Sequence, residues 1–381
     1  MLLYPVYALL FADAGLSTAE ISSLFAIWSI TGFVLEVPSG VWADAVSRRL
    51  LLTIAPLLSG AGYALWVLAP SYEAFAAGFV LWGAQGALQS GALEALVYEE
   101  LECDGAADRY PRLMGRATAL GTVAAGVATG LAAPVFSAGG FEAVGAASVL
   151  ACLVAACVGA SLPEHRRAAP MAGGADAAVG EEEPSGLRSF MAIVRDGARE
   201  LRRSRTLRGA VLLVPAVVTV WGSLDEYLPL LATEAGATVT DVALLALVVY
   251  AGQAAGGLFA DRVSRMRGRG VATVLAGAAA LLAAGALSGV PAGFAAIALA
   301  FTGFQAVTVV VDARLQAAIE GRARSTVTSL ASLLTEVATI TTFTLYAAGS
   351  AVMSHAVLFA AFAAAYLLVA PCAARVVDRV R

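Results

Sequence analysis

Glu36-Val37-Pro38-Ser39-Gly40-Val41-Trp42-Ala43-Asp44-Ala45-Val46-Ser47-Arg48-Arg49 closes one long apolar stretch with a glycine, an aspartate and two arginines, and the next apolar stretch begins at Leu50. A related phrase returns at Gly256-Gly257-Leu258-Phe259-Ala260-Asp261-Arg262-Val263-Ser264-Arg265. In both, Gly is followed by Asp four positions on, then by Ser and Arg at matching offsets. Tight charged turns between apolar segments, one in each half, predict an internally duplicated membrane protein.

Composition agrees. The 381 residues are 60% hydrophobic and only 14% charged, with mean hydropathy +0.81. A soluble chain carries about a quarter charged residues, so the polar surface needed to cover so large an apolar core is missing. The apolar runs are continuous, unlike the short alternating segments of a β-barrel. Cys103, Cys152, Cys157 and Cys372 form no CxxC pair, and His165 and His355 are the only histidines, so no metal site or other cofactor is expected.

The segments follow in order. Segment one, Met1 to Ala12, reaches roughly 18 Å at the helical rise, so Met1 is read as lying inside the first span. Segments two to six cover Thr18–Val41, Leu50–Leu68, Tyr72–Val97, Arg116–Phe136 and Phe141–Leu162, with a polar loop from Glu99 to Arg112. Residues 163 to 206 form a polar linker, in which Leu187, Phe190, Met191, Val194, Ala198 and Leu201 share one face of an amphipathic helix. Segments seven to twelve cover Gly209–Ala232, Thr240–Ala260, Val271–Leu287, Ala292–Val311, Thr326–Ala347 and Ala351–Ala374. The expected fold is an all-α membrane protein of twelve spans in two six-helix halves: residues 1–162, a cytoplasmic linker at 163–206, and 207–381.

Arginine placement sets the orientation. All 24 basic residues are Arg, and with these segments every one falls on the same side. The opposite loops, such as Pro70-Ser71 and Gly139-Gly140, carry none. The positive-inside rule then puts both termini in the cytoplasm of a multi-pass cell-membrane protein.

No GxxxxGK[ST], HExxH or GxSxG motif is present, so no catalytic residue is assigned and ATP-driven transport is not expected. The two loop phrases, the six-plus-six layout and the basic linker resemble the major facilitator superfamily over nearly the whole chain. The family's loop reads Gly, three residues, Asp-Arg/Lys, any, Gly-Arg/Lys-Arg/Lys. Gly40, Asp44, Arg48 and Arg49 match, with Ala45 and Ser47 departing from it. Gly257, Asp261, Arg262 and Arg265 match in the second half, with Ser264 in place of Gly. The phrases Glu36 to Gly40 and Ser90 to Glu99 resemble a bacterial branch often labelled as drug exporters. The resemblance implies that these loops latch the two halves on the cytoplasmic side, against the simpler reading of positive-inside anchoring. It also implies that helices one, four, seven and ten line a substrate cavity, whose candidates are Tyr4, Tyr7, Gln85, Gln89, Trp221 and Gln305. Tyr and Trp at helix ends equally form an interfacial belt. Gly121, Gly126, Gly130 and Pro134 imperfectly match an exporter-associated pattern and also simply permit close packing.

Acids at membrane depth are candidate proton or substrate sites. These are Glu94, Glu336, Asp312, Asp225 and Glu226. Asp312 occupies the place in segment ten that Glu94 takes in segment four. Asp225 and Glu226 lie toward the outer end of segment seven and can also merely rim the outer mouth. Glu36, four residues before its loop Gly as Gln253 is before Gly257, is read as structural. The expectation is a proton-coupled antiporter exporting small organic molecules, a monomer in the lipid bilayer with no nucleic-acid partner. An importer or uniporter, and a non-transporting sensor on the same fold, stay open.

Overall fold

Polar residues between the apolar runs start the helices. Ser47 accepts Leu50 N–H at 3.1 Å, Ser204 accepts Leu207 N–H at 3.2 Å, and Thr238 and Asp241 form a reciprocal capping box. The computed structural model describes residues 1–89, 91–164, 204–319 and 324–380. Among them the helices are α1 (Tyr7–Asp13, after a 3-10 turn at Tyr4–Val6), α2 (Thr18–Ala45), α3 (Arg48–Leu68), α4 (Tyr72–Gln89), α5 (Ala92–Cys103) and α6 (Tyr110–Ser161). After the linker come α7 (Arg205–Asp225), α8 (Leu228–Glu234), α9 (Val239–Ser264), α10 (Gly268–Leu287), α11 (Phe294–Ala318), α12 (Arg324–Ser350) and α13 (His355–Arg379). The described residues hold no strand, and 9 of the helices are long and apolar enough to cross a membrane. This is a multi-pass membrane protein. The amphipathic helix expected in the linker lies outside the described residues.

Several boundaries differ from expectation for local reasons. The phrase Glu36–Ala45 is helical to its end, so the charged turn shrinks to Val46 and Ser47. Its second copy behaves alike, because α9 continues through Asp261 to Ser264. Segment four breaks at Gly91, whose φ of 71° favours glycine, and Glu94 falls in the separate helix α5. The loop expected at Glu99–Arg112 is largely helical. Segments five and six join in α6 around non-helical Gly139 and Gly140, where the turn was expected. Segment seven breaks after Asp225. Pro229 lacks the N–H that would bond the Asp225 carbonyl, and its ring crowds that oxygen.

One packing pattern occurs twice. Before the linker, α4 packs on α2 and α3, and α3 on α6; after it, α11 packs on α9 and α10, and α10 on α13. The two sets meet through α2 with α12 and α6 with α9. Capping repeats as well. Glu164 accepts Arg48 N–H at 2.8 Å and the Ser47 hydroxyl, and Asp378 accepts Gly268 N–H at 2.7 Å. A carboxylate at or just past the end of the last helix of each set thus holds the positive end of α3 and of α10.

Lipid tails offer no hydrophobic force to press helices together, so close packing must do it. Gly78 is one such contact, because a Cβ there would overlap the Trp66 indole, whose Nε1 donates to Phe75 O at 3.1 Å. Gly121 on α6 has open space instead. Gly78→Ala is expected to destabilise by about 1–3 kcal/mol through overpacking, and Gly121→Ala to be neutral or stabilising by up to about 1 kcal/mol. Thermal unfolding of both variants in detergent checks the opposite signs.

The two ends of the bundle differ. The arginine-free end is packed: Phe25 meets Tyr227 at 5.3 Å and Phe343 at 5.5 Å between ring centroids, and the Ser137 and Thr240 hydroxyls lie 3.4 Å apart. At the arginine-bearing end, every residue from Pro111 to Ala125 is exposed except Met114. Among the described residues, that stretch of α6 lies uncovered by the other helix set.

Candidate functional site

The break in α7 builds the site. Ending the helix at Asp225 sets Glu226 at the break, where it is only 8% exposed. Tyr4 donates to Glu226 Oε1 at 3.3 Å, and Tyr7 donates to Oε2. Each carboxylate oxygen therefore holds a phenol from the start of the chain, a stronger bond than one between neutral groups. Tyr227 donates to Ser22 Oγ at 2.7 Å beside this pair. Asp225 adjoins the cluster, and its buried Oδ1 has no hydrogen-bond partner among the described residues.

Glu336 on α12 repeats the arrangement with another partner. Ser29 of α2 donates to its Oε2 at 2.5 Å. Glu226 and Glu336 both face a cavity of about 410 Å3 formed by α2, α4, the end of α7 and α12. Trp28, Phe33 and Phe343 supply its aromatic surface; Ser29, Thr219, Ser223, Thr335 and Thr339 supply hydroxyls. Among the described residues, its lining holds no basic side chain. Its size suits a small organic molecule. A second cavity, about 310 Å3, is lined by Tyr4, Tyr63, Trp82, Gln85 and Gln89. Trp28 stacks on Trp82 at 5.1 Å, so this aromatic pair stands between the two spaces.

The expected site residues divide accordingly. Tyr4, Tyr7, Asp225 and Glu226 come together. Glu336 joins Glu226 in the larger cavity. Gln85 and Gln89 hydrogen-bond to each other at 2.5 Å, Ser59 donates to Gln85 at 3.1 Å, and both glutamines share the smaller cavity with Tyr4. Trp221 is different: it packs between Phe301 and Phe304 and donates to Thr308 at 3.3 Å, inside the second helix set. Gln305 lies against Gly256 of α9. Segments two and eleven, rather than one and ten, thus contribute the walls of the larger cavity. Glu94 and Asp312 are exposed, apart from both cavities.

The loop residues form local pairs. Arg48 is paired with Glu99 of α5, and Arg265 with Asp261 one turn earlier at 2.6 Å. Arg262 lies over the Phe259 ring and Arg49 is exposed. Gly256, rather than Gly257, makes the close approach to α11. The side chains of Glu36 and Asp44, with Gly40, lie outside the described residues.

The hydroxyl lining was missed. Its signal was present as Thr219 with Ser223 and Thr335 with Thr339, each pair one helical turn apart on segments seven and eleven. Tyr366 was missed too. Its hydroxyl donates to Val217 O and accepts Trp221 N–H, both at 2.9 Å, two groups that an uninterrupted helix pairs with each other.

Solved transporters share this architecture. The chain matches a bacterial homologue of the human lysosomal transporter Spinster, in an inward-facing and unoccupied conformation, with TM-score 0.65 and 15% identity, covering 100% of this chain and 92% of that one. The nucleoside transporter NupG matches with TM-score 0.67 and 12% identity over 98% of this chain and 94% of that one. An auto-inhibited POT-family peptide transporter matches with TM-score 0.67 and 15% identity over 100% and 94%. At such identities the likeness speaks for the fold. Among curated proteins no sequence matches the chain. The Major Facilitator Superfamily profile matches residues 1–342. With that match over most of its length, the chain belongs to the major facilitator superfamily.

Proposed function

We propose that this protein is a secondary active transporter that exports small organic molecules in exchange for protons, by alternating access. One observation carries the reading. Both cavity carboxylates, Glu226 and Glu336, come from beyond the linker and accept hydroxyls, Tyr4, Tyr7 and Ser29, from before it. A carboxylate that gains a proton or a cationic guest changes the bonds that tie residues 1–162 to 207–381. Differential binding of that kind shifts the balance between two conformations. Twelve crossings follow when α1 and α4 are counted as spans and α6 is counted twice at Gly139-Gly140. In this reading the arginine-bearing end faces the cytoplasm, and among the described residues it is the end where α6 lies uncovered. Arg48 pairs with Glu99 and Arg265 with Asp261 in this state, and the latch among Asp44, Arg48, Arg49, Asp261 and Arg262 forms as that end closes.

Expression in an exporter-deficient bacterium, challenged with a panel of toxic small molecules, identifies compounds for flux in proteoliposomes. Flux is expected to accelerate with an imposed proton gradient, to collapse with a protonophore, and to lose its gradient dependence in Glu226→Gln. Flux indifferent to the gradient removes proton coupling. No flux of any compound removes transport.

A further inference from the structure

Two hydroxyls in the larger cavity have no partner among the described residues. Thr219 and Ser223 are 4% and 3% exposed, and neither hydroxyl oxygen has a hydrogen-bond partner among the described residues. They stand one turn apart on α7 and line the cavity together with Glu226 and Glu336. A buried hydroxyl without a partner costs stability, so the site is incomplete until something hydrogen-bonds to it. Two carboxylates and, among the described residues, no basic residue face the same space, which favours an occupant that brings positive charge. Trp28 and Phe343 add aromatic faces that attract a cation and cover an apolar body.

We infer that the cavity binds a small organic cation bearing N–H donors, a primary ammonium or a guanidinium, with Thr219 and Ser223 accepting its hydrogen bonds opposite Glu336. This deepens the transport reading above and rests on it. The hydroxyls make the selection. A quaternary ammonium satisfies the carboxylates and the aromatic faces but has no N–H for Thr219 or Ser223. An ammonium of the same shape satisfies all of them. An anion of the same shape meets two carboxylates and no cation.

Three probes with one phenylethyl body separate these cases: phenethylammonium, N,N,N-trimethylphenethylammonium and 3-phenylpropionate. Binding to the purified full-length protein is measured by titration calorimetry in detergent. Phenethylammonium is expected to bind about tenfold or more tighter than its trimethyl analogue, and 3-phenylpropionate not to bind. The double variant Thr219→Val with Ser223→Ala should erase the preference between the two cations. Thr219→Ser should keep it and serves as the folding control. Glu336→Gln should weaken both cations. Equal or tighter binding of the quaternary cation overturns the inference. So does binding of the anion, a preference that survives the double variant, or no binding of phenethylammonium at about 10 mM, the weakest end of useful affinity. Selective binding without flux would instead leave the inference standing and remove the transport reading.

Discussion

Glu226→Gln is expected to lower gradient-driven flux by about 100-fold or more, a loss equivalent to roughly 3 kcal/mol or more of stabilisation in the transport step. The amide fills the same volume and still offers an oxygen to one of the two phenols. It cannot release or take a proton. Tyr7→Phe removes one of two donors and leaves the carboxylate, so its loss should be nearer tenfold, the worth of one hydrogen bond to a charged group. The measurement is flux in proteoliposomes at a fixed inward proton gradient, with exchange at equal pH on both sides as the comparison. Exchange should survive in Glu226→Gln if the residue couples protons and does nothing else. Unaltered gradient-driven flux in that variant would move the coupling site to Glu336.

Locking the packed end should stop transport outright. The Ser137 and Thr240 hydroxyls are 3.4 Å apart, where α6 meets α9. Cysteines there, Ser137→Cys with Thr240→Cys, come within reach of a disulfide. Cys103, Cys152, Cys157 and Cys372 would first be replaced. Mild oxidation is expected to cross-link most of the protein and to abolish flux, and reduction to restore it. Flux that continues in the cross-linked protein would mean that this end need not open, and alternating access would fail. Ser137→Cys alone should transport normally, since its hydroxyl also bonds Ala133 O within its own helix and closes no essential network.

Much of this architecture is readable from local pattern. The Gly139-Gly140 turn, the arginine-free loops and the apolar runs are one-dimensional signals, because the bilayer demands long apolar helices whatever their neighbours. The break after Asp225 was readable as well, from Pro229 four residues on. What escapes a linear reading is pairing across distance. Tyr4 and Glu226 are 222 positions apart, and nothing in either neighbourhood names the other. Depth alone also misleads. Glu94 counts as a membrane acid only while segment four is continuous, and Gly91 ends that continuity. Trp221 fails for a similar reason: its place along segment seven was right, but the rotation of α7 turns it onto α11.

The Tyr366 hydroxyl in α7 has a mechanical consequence. Pro215 already leaves one carbonyl of that helix without its usual donor. Two residues after Pro215, Val217 O holds the Tyr366 phenol, and Trp221 N–H one turn further on holds it as well. Neither group is stranded if α7 bends there, because the hydroxyl serves both. A bend that parts Val217 O from Trp221 N–H gives up their direct bond and keeps the pair to Tyr366, an exchange on the order of one hydrogen bond, about 1 kcal/mol. Thr219 and Ser223 lie within and just beyond this soft joint, and Glu226 beyond it. The helix can therefore re-aim its half of the cavity through a shallow swivel, with the tightly packed faces of α11 and α13 as a fixed bearing.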